Sequence, residues 1–160
     1  MRLLIAAIGK LKQGPERELF EHYLGRAEAA GRKLHLSPLN TIEVTESKAE
    51  SAASRMQAEG EALLARVPPS HLMICLDRNG QSLSSEAFAA LLAKLRDGGS
   101  EGLAFVIGGA DGIAGSVLAK AAKTITLGPM TLTHGLARLV LAEQFYRAAT
   151  ILSGHPYHRA

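Results

Sequence analysis

The chain has 160 residues, 47% of them hydrophobic and 21% charged, with a formal net charge of +3. That length fits one domain, residues 1–160, with a core that needs no disulfide or metal staple; so apolar a composition excludes a disordered chain. The mild positive charge permits nucleic acid as a partner, while 4% aromatics and no tryptophan argue against a broad base-stacking platform.

Taken in chain order, Arg2–Ile8 is a short apolar run suited to a strand, too short for a signal-peptide core. Glu16–Ala30 reads as a helix, entered through Gly14-Pro15 and stopped at Gly31. Leu34–Val44 holds a second strand, interrupted by Ser37-Pro38, and Ser47–Arg66 reads as a helix ended by Pro68-Pro69. Leu72–Leu76 is a fully apolar strand, in which the lone Cys75 reads as a buried thiol and fits a reducing compartment. Asn79-Gly80 marks a turn after it. Ser84–Arg96 reads as a helix with Ser84 as N-cap, broken by Gly98-Gly99. Leu103–Ile107 is the next strand, and the glycine-rich loop Gly108–Gly115 leads into a helix through about Ala122. Lys123–Leu127 is a strand and Thr133–Leu152 the final helix. Strands alternating with helices, the later strands continuously apolar, predict a parallel sheet covered on both faces. Ligands of such sheets bind beyond the carboxyl ends of the strands, here after Leu76, Ile107 and Leu127. No segment reaches the ~18–20 apolar residues that cross a membrane, so the expected location is the cytoplasm.

Four groups of residues carry candidate chemistry. Ile107-Gly-Gly-Ala-Asp-Gly112 follows a strand and precedes a helix, where glycine lets a ligand approach the backbone or simply permits a tight turn. Its spacing is not that of a dinucleotide fingerprint, and no phosphate-binding Gly-Lys-Ser/Thr loop occurs. Leu127-Gly-Pro-Met-Thr-Leu-Thr133 is apolar for a connection; it offers backbone groups beside Met and Leu, which suits an adenine or a thioether, or else plugs the core. His134 and Arg138 stack at i, i+4 near a helix N-terminus, where the macrodipole disfavours positive charge; a bound anion, or an acid from elsewhere in the fold, resolves this. Glu143 and Arg147 are spaced for an intrahelical ion pair. The tail residues His155, Tyr157, His158 and Arg159 suit stacking on a base and pairing with phosphate. The histidines lack zinc-ligand spacing, so no metal is expected.

Three blocks together carry a family resemblance: Leu76-Asp77-x-x-Gly80, Ile107-Gly108-Gly109-x-x-Gly112, and Met130-Thr131-x-x-His134-x-x-x-Arg138 through Glu143-x-x-Tyr146-Arg147 to His155-Pro-Tyr-His-Arg159. In this order, and over essentially the whole length, the chain resembles the ribosomal RNA large subunit methyltransferase H family of the SPOUT class. The resemblance implies an α/β domain with a C-terminal trefoil knot, a homodimer, S-adenosylmethionine as cofactor, and methylation of N3 of a pseudouridine in large-subunit ribosomal RNA within the 70S ribosome. By position it places Leu76, Gly108, Gly109 and the loop Gly128, Pro129, Met130, Thr131, Leu132 and Thr133 at the cofactor. It places His134, Arg138, Tyr157, His158 and Arg159 on the catalytic or RNA-facing side. The chain differs from the family pattern at Gln81, where a lysine is common, at Gly128 (serine) and at Thr133 (proline); Thr133 suits a helix N-cap instead.

Chemically, Arg138 or Arg159 would stabilise a developing imide anion, and His134 or His158 would accept the N3 proton. Leu136, Leu139, Val140 and Phe145 exceed one narrow apolar stripe, which suggests packing on a twin subunit. Two rivals stand beside this reading: a non-enzymatic ribosome-binding factor of similar fold, and a methyltransferase of the same class acting on transfer RNA.

Overall fold

The computed structural model describes residues 1–158. Five strands, β1 (Arg2–Ile8), β2 (Leu39–Val44), β3 (His71–Ser82), β4 (Gly102–Ile107) and β5 (Lys123–Thr126), form one sheet in the order β2-β1-β4-β3-β5. Every pairing is parallel. The helices are α1 (Pro15–Arg32), α2 (Ala52–Leu64), α3 (Ser85–Asp97), the single turn α4 (Gly115–Leu118) and α5 (His134–Ser153).

The two-residue period of a strand divides the core. Leu3, Ile5 and Ala7 of β1 face α1, α3 and α5, whereas Leu4, Ala6 and Ile8 face α2 and α4. The first layer is centred on three rings: Phe105 of β4 lies 4.9 Å from Phe145 and 5.8 Å from Phe88, edge-on to both. Phe145 is therefore core, 3% exposed, and not part of a twin-subunit surface as its spacing suggested. Cys75 is fully buried in the second layer; burial, then the charge of Asp77, pushes its thiol up to about 11, so it stays protonated and inert.

Three elements differ from expectation. The helix expected through Ala122 is one turn long, because the Ala122 N–H donates to Met73 O and the chain turns into β5. The helix expected from Ser47 starts at Ala52: Ser51 caps it by accepting from Ser54 N, and Ser47 N–H donates instead to Glu59. β3 does not end at Leu76. Both Leu76 and Gln81 pair with Ile125, so the residues between them are looped out, and Asn79 N–H donates to the Asp77 carboxylate across the bulge. Gly80 closes this bulge directly against β5: a Cβ there would lie 2.6 Å from the Ile125 carbonyl oxygen. Gly80→Ala is therefore expected to cost about 2 kcal/mol by overpacking, read by urea unfolding; an unchanged midpoint would show that the bulge tolerates a side chain.

Candidate active site

Strand register sets five residues side by side at the carboxyl edge of the sheet. Glu43 pairs with Ala7, Ala7 with Ile107, Ile107 with Leu76, and Leu76 with Ile125. The turns that follow Leu76, Ile107 and Ile125 thus leave adjacent strands at one level, which brings Leu76 and Gly108-Gly109 together as expected for a ligand edge. Gly108 packs against the carbonyl of Gly112, and a Cβ there would fall 2.5 Å from that oxygen. Glycine is needed at this point for close packing of the loop on itself.

The connection from β5 to α5 crosses this edge. It leaves Thr126, paired with Ser82 of β3, and ends at His134, whose ring lies against Gly9 just after β1; a Cβ on Gly9 would fall 3.0 Å from His134 Cε1. β3 and β4 lie between those ends, a span of roughly 14 Å at the usual strand spacing, so residues 127–133 bridge two strand termini. Both ends are tied. Thr126 Oγ1 accepts from Gly128 N–H and donates to Gly128 O, holding Gly128 at φ 132°, a conformation that favours glycine. Thr133 caps α5, its hydroxyl accepting from Leu136 N–H at 3.3 Å. Between these ties Met130 is 81% exposed.

Beneath the start of this bridge lies a cavity of about 200 Å³. Phe88, Ile125, Leu127, Val140 and Leu141 give it apolar walls; Ser82, Ser85, Thr126 and Gln144 supply polar groups, with Gly128 at its rim. An apolar slot with a few convergent polar groups, beside a glycine turn, has the make-up of a site for a small organic ligand. Among the expected cofactor residues, Gly128 lines the cavity, Leu76, Gly108 and Gly109 sit along the adjoining edge, and Pro129, Met130, Thr131, Leu132 and Thr133 form the bridge. Sequence reasoning missed Ser82, Ser85 and Gln144, which are unremarkable until α3 and α5 pack together and Ser85 Oγ donates to Gln144 Oε1 at 2.8 Å.

Arg138, expected on the catalytic or RNA-facing side, is instead 1% exposed. Its Nη1 donates to Glu43 Oε1 at 2.8 Å, and its Nη2 donates to the carbonyls of Ile8 and Gly9. The conflict with the macrodipole is thus resolved by an acid from β2, one of the two outcomes its position allowed. Burial lowers the pKa of its guanidinium, against the charge and hydrogen bond of Glu43. Glu43 also accepts from Leu11 N–H and from Arg17, so it joins β2, α1 and α5. His134 keeps a buried Nδ1 without a partner, and its Nε2 is 3.9 Å from Glu46.

The tail turns back along α5 from Gly154, whose left-handed φ of 68° ends the helix. Tyr157 lies edge-on to Tyr146 at 4.6 Å with Arg147 5.0 Å from its ring, and its hydroxyl donates to Glu143 at 3.1 Å. Glu143 also takes the expected ion pair from Arg147 and a bond from Gln144 Nε2. His158 Nε2 is 2.8 Å from Glu86 of α3, and His155 is exposed. Arg159 lies outside the described residues. Tail and cavity wall are therefore linked by two hydrogen bonds, Tyr157 to Glu143 and Gln144 to Glu143.

Among the described residues, no group of His, Cys, Asp and Glu is placed to hold a metal ion, and no helix is long and apolar enough to cross a membrane.

A parallel sheet with a glycine turn, a bridging loop and a cavity at its carboxyl edge is the arrangement of a SPOUT methyltransferase, and a family model described as "Predicted SPOUT methyltransferase" matches residues 1–158. Full-length relatives agree: the protein named "Ribosomal RNA large subunit methyltransferase H" in Xanthobacter autotrophicus is 53% identical over 160 residues, covering 100% of both chains. The proteins of that name in Rhodopseudomonas palustris (52% over 160 residues, 100% of both chains) and Methylobacterium nodulans (48% over 159, 99% of this chain and 98% of the relative) are similar. The chain belongs to this ribosomal RNA large subunit methyltransferase H family of SPOUT methyltransferases.

Two outcomes test the geometry. Arg138→Met takes one partner from Glu43, which keeps Leu11 N–H and Arg17, leaves two strand-end carbonyls without their donor, and is expected to cost about 3 kcal/mol, whereas Glu43→Gln, at a partly hydrated position, costs about 1 kcal/mol; denaturant unfolding measures both, and a fully stable Arg138→Met protein would remove the anchor. Burial, then Tyr23 and the Glu143 carboxylate, hold the Tyr157 phenol well above its ordinary range. Below pH ~10 it is protonated in folded and unfolded chains alike and its docking counts in full. Above that the unfolded chain ionises first, so the contribution is lost as pH rises. Absorbance titration is expected to show a late-ionising tyrosine that Tyr157→Phe abolishes.

Proposed function

We propose that this protein methylates N3 of a pseudouridine in 23S ribosomal RNA, with S-adenosylmethionine as cofactor and the assembled 70S ribosome as substrate. The observation that carries the reading is the bridge 127–133, which crosses the sheet edge beside a mixed polar and apolar cavity and ends at a helix whose far end returns the tail to that cavity's wall. The relatives' shared name supplies the substrate class.

When bound, S-adenosylmethionine supplies a methyl group on a cationic sulfonium. The chain's own part is mostly placement. The turn at Gly108-Gly109 and the backbone of residues 128–133 hold the cofactor, and Ser82, Ser85 and Gln144 orient its polar groups. Holding the RNA ring nitrogen in line with the methyl contributes roughly 7–11 kcal/mol. The N3 proton must leave, and His158 or His134 is the acceptor. The Tyr157 hydroxyl donates a hydrogen bond to Glu143, so Tyr157 serves as a stacking surface held by that bond and not as the base. Arg159 carries the cation for the developing imide anion, while buried Arg138 positions α5.

We read residues 1–160 as one cytoplasmic domain that acts as a homodimer, with the trefoil knot of its class. The bridge over two strand ends supports the knot. Exposed Met130 and Leu136, beside half-buried Leu139 and Val140, support a partner surface at the start of α5.

Incubation with labelled S-adenosylmethionine and intact ribosomes, free subunits or transfer RNA tests the substrate: label is expected in intact ribosomes alone, and label in transfer RNA would overturn it. In single-turnover assays, His158→Ala is expected to slow methylation roughly 10²-fold or more without weakening cofactor binding. A wild-type rate would take His158 out of the chemistry. Absence of cofactor binding by calorimetry would favour a non-enzymatic ribosome-binding factor.

A further inference from the structure

The glycine turn after β4 is held from outside the cavity by an ion pair that no motif singled out. Arg55 of α2 makes a two-pronged ion pair with Asp111: Nε donates to Oδ2 at 2.6 Å and Nη2 to Oδ1 at 3.1 Å. Its remaining nitrogen, Nη1, donates to the carbonyls of Ala49 and Glu50 at 3.1 and 3.0 Å. One guanidinium therefore ties α2, the segment before it and the glycine turn together, a fixed fork that lysine cannot reproduce. One turn further along α2, Glu59 is 6% exposed, accepts from Ser47 N–H, and backs the turn so closely that a Cβ on Gly109 would fall 2.7 Å from its Oε2. Asp111 itself does not line the cavity. The Arg55 hydrogen bond holds the Asp111 carboxyl below the usual carboxylate range, so the pair is intact at neutral pH.

We propose that Arg55 and Asp111 are positioning residues for cofactor binding: their ion pair holds the Gly108–Gly112 turn in its binding-competent shape. This rests on the assignment of that turn to S-adenosylmethionine. A loop that samples competent and incompetent shapes binds more weakly in proportion to the competent fraction. Releasing the turn should weaken affinity and leave the rate of the loaded enzyme intact.

Calorimetric titration with S-adenosylmethionine tests it on wild type, Arg55→Lys, Arg55→Met, Asp111→Asn and the double variant Arg55→Met/Asp111→Asn. Each single variant is expected to bind roughly five- to tenfold more weakly, and the double variant no more weakly than either. KM for the cofactor should rise to match, with kcat and KM for ribosomes unchanged, and added salt should narrow the gap because the pair is partly exposed. Asp111→Asn keeps side-chain shape, so thermal unfolding separates loss of affinity from loss of fold. Wild-type affinity in Asp111→Asn and Arg55→Met would overturn the proposal, as would strictly additive losses or a fall in kcat at saturating cofactor. If wild type itself fails to bind, the cofactor assignment falls instead.

Discussion

A guanidinium buried at the carboxyl end of β1 governs how the last third of the chain meets the first. Arg138 is buried from solvent, so its hydrogen bonds come from protein: two to Ile8 O and Gly9 O and one to Glu43, with Nε left without a partner. Sheet edges supply such carbonyls only where a strand stops pairing. The position of α5 along its axis is thereby tied to the end of β1, and a slide by one residue would bury an unpaired charge. Everything downstream in the site inherits that placement, because the bridge 127–133 is the segment that α5 pulls across the sheet.

The far half of the same helix works through a carboxylate. Glu143 accepts from Arg147, Gln144 and Tyr157, and so joins the helix, the cavity wall and the tail in one network. Tyr157 is further held by its packing on Tyr146, whose hydroxyl accepts from Arg26 of α1. A charged group that accepts several hydrogen bonds in a half-buried setting is well satisfied, and removing any one donor leaves the others in place. The two ends of α5 thus differ in kind: a single indispensable cation at the start, and a shared, redundant acid nearer the tail.

Much of this was legible before any coordinates. Apolar strands alternating with helices required a covered parallel sheet, Ser84 and Thr133 announced their caps, and the Glu143–Arg147 spacing announced its ion pair. What the sequence hides is pairing at a distance. Glu43 meets Arg138 across 95 positions, and a lone glutamate in a strand carries no mark of that partner. Arg55 and Asp111 are 56 positions apart and individually look like solvated charges. Asn79-Gly80 signals a reversal locally and so points to a strand end, whereas β5 offers pairing on either side of the bulge and β3 resumes. The helix after Gly115 is shorter than its sequence implies for a similar reason: Ala-rich residues favour helix, but a tertiary bond from Ala122 to β3 ends it early.

The bridge shows why fixed ends and an exposed middle belong together. Thr126 clamps its first turn and Thr133 its last, so the loop's backbone direction is set at both margins by short polar side chains. Between them Pro129 removes one backbone donor and restricts φ, which lowers the entropy lost when the segment closes on a ligand. Met130 points its thioether outward and contributes nothing to the core. A segment built only to plug the sheet edge would bury that side chain. One that holds a ligand with its backbone has no need to, and leaves the methionine free for whatever approaches from outside.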